Sequence, residues 1–447
     1  MACSVGTDDA TFCWAADPRA NRNALSRATN AASTPHVTLP SRVDVLPPEK
    51  TSTYAGPLWL AAGGLVLGGV VIVVLRAHPS KWSLLGLPIR VALLGLAVAA
   101  LATAIFWRGH WWRHVLFGVL FGILGVLIAA GQINAHYQYF RTVGQVFGEK
   151  AAHQVSIAGL KRNGVQPPEG RVVEIGIPGA RSGFTPRNAQ VYLPPTWFRD
   201  TQRQFPVLML LHGSPGFVED WVRAGLADKT ADAFAAQHKG DAPVIVMPDI
   251  NGSLTGDSEC VDSKRGNVET YLDVDVREFV ISRFGTSGQP DKWAIAGLSE
   301  GGNCSLQLVL RHPELYRTFG DYAGFSGPRP GESDTDVQSS IRELFNGSQA
   351  AFDDHEPSVL LQRRQYPGVN GWFEVANDDH APLLGAQKLA PLARKAGIDT
   401  CFVITNGGSH TFATFSRSLR DSLPWISARI GLVPKDASQT SLCRPGV

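Results

Sequence analysis

Charge is what this 447-residue chain has least of. Asp, Glu, Lys and Arg together make up 18%, against the ~25% of ordinary soluble domains. The 41 basic and 39 acidic residues nearly cancel, leaving a formal +2. Such a balance supplies no field for nucleic acid, and no basic stripe is present to localise one. Glycine (46) and proline (29) stay short of the share that marks low complexity, and six cysteines are too few for a small disulfide scaffold. The chain has no Walker loop, no G-x-G-x-x-G, no H-E-x-x-H and no paired C-x-x-C. The motif reading therefore contains neither a phosphate-cradling loop nor a common zinc arrangement, and no cofactor or metal is expected. No apolar stretch follows Met1, so no secretory signal is expected, and Cys3 lacks the apolar run that a lipid-attachment cysteine needs.

The shortage of charge is local. Residues 1–56, rich in Ala, Thr, Ser, Asn and Pro, show no apolar periodicity and read as a disordered tail. Three apolar runs follow: Leu58–Leu75, Val91–Trp107 and Val115–Ile133. Each approaches the ~20 residues (range ~17–25) that a membrane-spanning helix needs, whereas buried core helices suit shorter runs. Trp107, Trp111 and Trp112 beside Arg108 and Arg113 have the composition of an interfacial belt. Residues 57–136 are thus expected to form a membrane domain of three helices in a multi-pass protein, with 137–165 as a linker. An odd number of spans puts the termini on opposite sides. With the N-terminus inside, Arg42, Lys50, Arg108 and Arg113 lie near the inner face and Arg76, Lys81, Arg90, Arg141 and Lys150 near the outer one. The basic residues alone slightly disfavour an external C-terminal domain.

From about residue 166 the texture changes. Arg171–Ile177 and Ala189–Leu193 read as an opening antiparallel pair. Val207–Leu211, Val244–Met247, Trp293–Ala296, Trp372–Ala376 and Cys401–Thr405 then alternate with helix-length segments at 270–284, 303–312, 385–396 and 415–430. Continuous apolar strands separated by helices predict a mostly parallel sheet covered on both faces over residues 166–434, followed by a short tail at 435–447. In such sheets ligands sit at the carboxyl ends of the strands.

Directly after Trp293–Ala296 stands Gly297-Leu298-Ser299-Glu300-Gly301-Gly302. A G-x-S-x-G is common in loops; between a strand and a helix it describes a tight turn that exposes the serine hydroxyl. Serine is a weak nucleophile unless a base takes its proton and a carboxylate orients that base. Asp379 follows Trp372–Ala376 and His410 follows Cys401–Thr405, in the order and at the strand ends this architecture requires. Asp378 is adjacent and could exchange roles with Asp379, whose bland alternative is a helix cap. After Val207–Leu211, the loop His212-Gly213-Ser214-Pro215-Gly216 offers the Ser214 backbone N–H. With the Glu300 N–H it would form an oxyanion hole. Asp353-Asp354-His355 and Asp378-Asp379-His380 contain metal-binding residue types, but adjacent residues rarely converge on one ion. Cys260, Cys304, Cys401 and Cys443 lie in this part of the chain, and all three pairings are open. Cys304, behind the serine, reads as a buried free thiol.

These stretches carry a resemblance. Leu211-His212-Gly213 with Trp221, Val268-Glu269-Thr270-Tyr271, the strand and turn ending at Ser299, Arg311-His312-Pro313, Gly407-Gly408-Ser409-His410 and Phe412–Phe415 resemble the esterase branch of the α/β-hydrolases. That branch includes esterase D and the mycobacterial mycolyltransferases. The resemblance covers about 166–432 and implies an α/β-hydrolase fold, a serine nucleophile, an acyl-enzyme and an ester or lipid substrate. The mycolyltransferases carry a Glu acid and are secreted, whereas this chain offers Asp and three apolar runs. Ester cleavage is therefore the expected activity, by a membrane-anchored serine esterase whose catalytic domain is extracytoplasmic and touches membrane lipids. Mycolyltransferase-like transfer to a sugar or lipid alcohol is the alternative. A non-catalytic membrane protein that binds a lipid or partner through a hydrolase-like domain is the reading from another class.

Overall fold

An uninterrupted apolar segment gains when neighbouring strands pair with it and helices cover its faces. The computed structural model describes residues 95, 97, 100, 111–140, 142–147, 154–331, 336–435 and 441–443. The tail 1–56, the first apolar run, most of the second and most of 435–447 lie outside the described residues. The third run lies in helix α1, Trp111–Tyr137, of 27 residues. Leu124 of α1 is buried in a small cluster with Ala97 and Ala100, against which Leu120 and Ile128 pack. Val119, Ile123, Val126, Leu127 and Ile133 are exposed. Several α1 side chains lie outside the described residues. Among the described residues no helix is long and apolar enough to cross a membrane, so the expected three spans do not follow from the fold.

The apolar strands of the C-terminal part find each other. They are β1 (Gln154–Val155), β2 (Arg171–Ile175), β3 (Ala189–Leu193), β4 (Val207–Leu211) and β5 (Val244–Met247), then β8 (Trp293–Leu298), β9 (Thr318–Tyr322), β10 (Asn370–Ala376) and β11 (Asp399–Thr405). Two short strands, β6 (Asp262–Ser263) and β7 (Gly266–Asn267), form a separate ribbon. The nine-stranded sheet has the spatial order β1-β2-β3-β5-β4-β8-β9-β10-β11. β3 is antiparallel to both β2 and β5, and every other pair is parallel. Every residue of β4, β5 and β8 is buried, as expected for strands covered on both faces. The covering helices include Ala227–Gln237, Glu300–Arg311, His380–Lys395 and Phe412–Arg429. The helical stretch Val268–Phe284 contains a π-helical turn at Tyr271–Val276.

Two local expectations need correction, and one strand was not expected. Residues 137–165 are not wholly a linker, because Gln154 and Val155 pair with Val172 and Val173 at the sheet edge. Arg162 also donates to the Trp197 carbonyl. Strand β9 escaped the apolar-run reading because Gly320 and Asp321 interrupt it. Asp321 is buried and accepts the Gly324 N–H at 2.7 Å, and burial pushes its carboxyl up to about 7. Cys304 is not a free thiol: it is bonded to Cys260, and Cys401 is bonded to Cys443.

Candidate active site

The turn after β8 puts Ser299 at φ 55°, ψ −123°, a conformation that costs a non-glycine residue of order 1–3 kcal/mol. Backbone bonds hold it there: Ser299 N–H donates to the Tyr322 carbonyl at 3.0 Å, and the Ser299 carbonyl accepts Gly302 N–H at 2.9 Å and Asn303 N–H at 3.2 Å. The flanking glycines are required by contact. A Cβ on Gly297 would stand 2.2 Å from the Gly301 carbonyl oxygen, and one on Gly301 would stand 2.5 Å from the Leu211 and His212 carbonyl oxygens. The sharp turn is thus wedged against β4, and Glu300 opens the following helix.

Asp379 and His410 meet. His410 Nδ1 lies 2.7 Å from Asp379 Oδ2, with the aspartate side chain 10% and the histidine side chain 30% exposed. Asp379 opens helix His380–Lys395 yet makes no side-chain cap bond to it; its carboxylate goes to the imidazole instead. Asp378 is exposed. Asn377, which sequence reasoning passed over, ties the two loops by accepting Gly407 N–H at 2.9 Å and donating its own N–H to the Thr405 carbonyl at 3.0 Å. The imidazole stands edge-on to Phe415 at 5.0 Å and tilted to Phe325 at 6.5 Å. Ser299 follows β8, Asp379 β10 and His410 β11, at the carboxyl ends of parallel strands in one sheet. Among the described residues no hydrogen bond joins the Ser299 hydroxyl to His410. Such bonds are often long in unliganded enzymes and tighten with substrate.

The loop after β4 lies against the serine: a Cβ built on Gly213 would stand 3.1 Å from Ser299 Cβ. Buried His212 has Nδ1 2.8 Å from the Gly213 carbonyl oxygen. A planar trans peptide directs its N–H opposite to its C=O, so this contact sets the direction of the Ser214 N–H. His212 Nε2 lies 3.2 Å from Asp249 Oδ1, and Arg187 Nη2 lies 2.6 Å from the same oxygen. Burial pulls the Asp249 carboxyl upward, but hydrogen bonds from His212 and Arg187 outweigh it and hold the group below the usual carboxylate range. Arg187 Nη1 also donates to the Gly216 carbonyl at 2.9 Å. The Ser214 hydroxyl donates to the Gly256 carbonyl at 2.7 Å.

Glu300 contributes a second feature that spacing could not reveal. Its buried carboxylate accepts Asn251 Nδ2 at 2.7 Å, Ser258 N–H at 3.1 Å and Glu259 N–H at 3.0 Å. Burial, with Asp257 nearby, pushes the Glu300 carboxyl up to about 8. Burial beside Glu300 raises Glu259 as well. The metal-type side chains that converge among the described residues are Glu269, Asp273 and His312, not the adjacent triplets noticed in the sequence. Arg311 Nε, 2.6 Å from Glu269 Oε1, and His312 Nε2, 2.7 Å from the same atom, already neutralise this group.

Fold and site together define an α/β-hydrolase-like protein with a serine turn, an aspartate–histidine pair and a donor loop at one end of a mixed sheet. Residues 184–426 match the Putative esterase family, and the chain belongs to that family. An uncharacterised protein of Corynebacterium glutamicum is 32% identical over 353 residues, covering 76% of this chain and 81% of the relative. The S-formylglutathione hydrolase of Paracoccus denitrificans is 24% identical over 267 residues, 55% of this chain and 90% of that enzyme. Among solved structures, an S-formylglutathione hydrolase from Agrobacterium tumefaciens superposes with a TM-score of 0.50 at 15% identity, covering 59% of this chain and 97% of that one. At that identity the likeness concerns the fold.

Proposed function

We propose that the protein is a membrane-anchored serine esterase that cleaves carboxylic, lipid-like acyl esters through an acyl-enzyme. The observation that carries this reading is the strained Ser299 turn at the strand ends that also deliver the Asp379–His410 pair. Ser299 Oγ attacks the ester carbonyl as its proton passes to His410 Nε2, the ring nitrogen left free by the Asp379 contact. The carbonyl oxygen becomes negative opposite the Ser214 and Glu300 backbone N–H groups. Collapse breaks the bond to the alcohol, which leaves with the proton from His410. Water, deprotonated by the same imidazole, then attacks the acyl-serine and releases the acid; an alcohol in its place would give transfer.

Membrane anchoring rests on the three apolar runs and on the exposed Val119, Ile123, Val126, Leu127 and Ile133 of α1. An extracytoplasmic catalytic domain is favoured by the Cys260–Cys304 and Cys401–Cys443 disulfides, which persist in oxidising compartments. Residues 1–56 then lie inside. The decisive experiment is fluorophosphonate labelling of the full chain in detergent, alongside hydrolysis of a short p-nitrophenyl ester. Wild type is expected to label. Ser299→Ala is expected not to label and to lose activity by several powers of ten, keeping only what the oxyanion donors and binding supply. An unlabelled, inactive wild type would instead favour a binding protein with a hydrolase-like domain. Protease added to intact spheroplasts is expected to digest residues 166–434; their protection would invert the topology.

A further inference from the structure

The chain leaving α1 folds back onto the catalytic domain within a few residues. Gln138 takes φ 57°, and its N–H donates to the Asn134 carbonyl at 2.7 Å. The Asn134 side chain then makes both bonds to one residue, donating to the Phe140 carbonyl at 2.8 Å and accepting its N–H at 2.7 Å. A capping box between Thr142 and Gln145 starts the short helix Val143–Val146. Gln145 Nε2 reaches across to the Arg223 carbonyl at 3.1 Å. These bonds present Tyr139 to two loops at once. Its ring meets Phe412 edge-on at 5.2 Å and Phe217 at 6.4 Å. Phe412 lies two residues beyond His410, and Phe217 lies in the loop that begins at His212.

The hydroxyl makes the more consequential contact. Tyr139 Oη donates to Asp220 Oδ1 at 2.6 Å, and Asp220 Oδ2 accepts the Phe217 N–H at 2.8 Å. Asp220 is buried. One carboxylate therefore divides its two oxygens between the segment after α1 and the loop that carries Ser214. A buried carboxylate oxygen that loses its donor is costly to leave unsatisfied, and any shift of Asp220 that relieves it pulls on the Phe217 N–H held by its other oxygen, in the loop that carries Ser214.

We propose that Tyr139 is a positioning residue of the active site. Through Asp220 it sets the loop that presents the Ser214 N–H to the developing oxyanion. The segment after α1 is then part of the catalytic centre as well as a tether. This inference rests on the esterase reading of the site. Small displacements of an oxyanion donor weaken the transition state more than they weaken substrate binding. The signature is consequently a fall in kcat per fluorophosphonate-titrated active site with KM preserved; a loss of general stability lowers the number of titratable sites and the thermal midpoint instead.

The test uses the full chain in detergent with p-nitrophenyl butyrate. Tyr139→Phe keeps the ring against Phe217 and Phe412 and removes only the donor. It is expected to lower kcat about tenfold with KM within about twofold and an unchanged thermal midpoint. Asp220→Asn is expected to lower kcat at least as far, and adding Tyr139→Phe to it is expected to change nothing more, because both act through one carboxylate. A Tyr139→Phe enzyme within twofold of wild type in kcat would overturn the proposal, as would losses that multiply in the double variant. If Asp220→Asn does not fold, the kcat of Tyr139→Phe per fluorophosphonate-titrated site, with its KM and thermal midpoint, decides alone. A wild type that neither labels with fluorophosphonate nor turns over would overturn the esterase reading instead, so the two failures are distinguishable.

Discussion

Strand β4 and helix α1 are written in almost the same alphabet and have opposite fates. Val207–Leu211 is an apolar run whose five side chains are fully buried, with β5 on one side and β8 on the other. Helix α1 carries the apolar run Val115–Ile133, yet Val126 is 69% and Ile133 61% exposed. An extended segment gains from apolar side chains only when neighbouring strands satisfy its backbone and helices cover its faces. A helix satisfies its own backbone, so its side chains can face whatever solvent is nonpolar. Apolarity states a need for a nonpolar environment and leaves open whether protein or lipid provides it.

The strongest way to break this comparison is to put the same charge into both regions. Leu210→Asp in β4 buries an unpaired carboxylate and is expected to abolish the folded catalytic domain, read by circular dichroism and loss of esterase activity. Val126→Asp in α1 is expected to leave p-nitrophenyl ester hydrolysis in detergent within about twofold. If α1 inserts in a membrane as proposed, the variant is expected to be recovered less in the membrane fraction, since a carboxylate at the centre of a span costs about 2.5–3.5 kcal/mol of insertion. Retention of Val126→Asp in membranes at the wild-type level would count against α1 as a span.

Next in size is a contrast within the sheet region. Asp379→Asn replaces the carboxylate beside His410 Nδ1 by an amide that can donate to it and fix the wrong tautomer, and is expected to lower kcat by about 10⁴. Exposed Asp378→Asn is expected to stay within about threefold. Steady-state kinetics of the two variants check the assignment, and a reversed order would exchange their roles.

Smaller again is the effect of the bond between helix Glu300–Arg311 and the loop before β6. Replacing Cys260 and Cys304 together by Ser is expected to cost about 2–4 kcal/mol of catalytic-domain stability, read by denaturant unfolding. Dithiothreitol is expected to lower the stability of wild type further than that of the variant, in which Cys401–Cys443 is the disulfide left to reduce.

A last contrast is a slope with pH. Glu300 has its folded pKa raised to about 8 from an unfolded value near 4.5. Between those values the folded protein binds the extra proton, so this group lowers stability as pH rises through the window. His312, raised to about 9 by Glu269 and Asp273 against the opposing pull of burial, adds stability that is complete below about 6.5 and fades as pH climbs toward 9. The thermal midpoint is therefore expected to decline from pH 5 to 8. Glu300→Gln, neutral throughout, is expected to flatten that decline, and a wild-type slope in this variant would remove Glu300 as a source.

Features that depend on neighbours along the chain are legible in the residues alone. Seven of the strands are short apolar runs bounded by turn residues, and the serine turn is recognisable because its glycines and its strand–helix context lie within a few positions. The order serine, aspartate, histidine was legible for the same reason, since each follows its own apolar strand. Only the tertiary structure decided what depends on residues far apart in sequence. Asp379 rather than Asp378 faces His410, because the helix start at His380 turns one carboxylate inward and leaves the other in solvent. Cys260 meets Cys304 and Cys401 meets Cys443 because the sheet brings those pairs within reach, which an even count of cysteines cannot specify. Strand β9 is a central strand despite Gly320 and Asp321, because Gly324 N–H satisfies the buried carboxyl. Tyr139 reaches Asp220 across 81 positions, by a fold-back that no periodicity announces. Local signals survive in sequence because backbone geometry is local; partners of buried polar groups are chosen by proximity, and proximity exists only once the chain has folded.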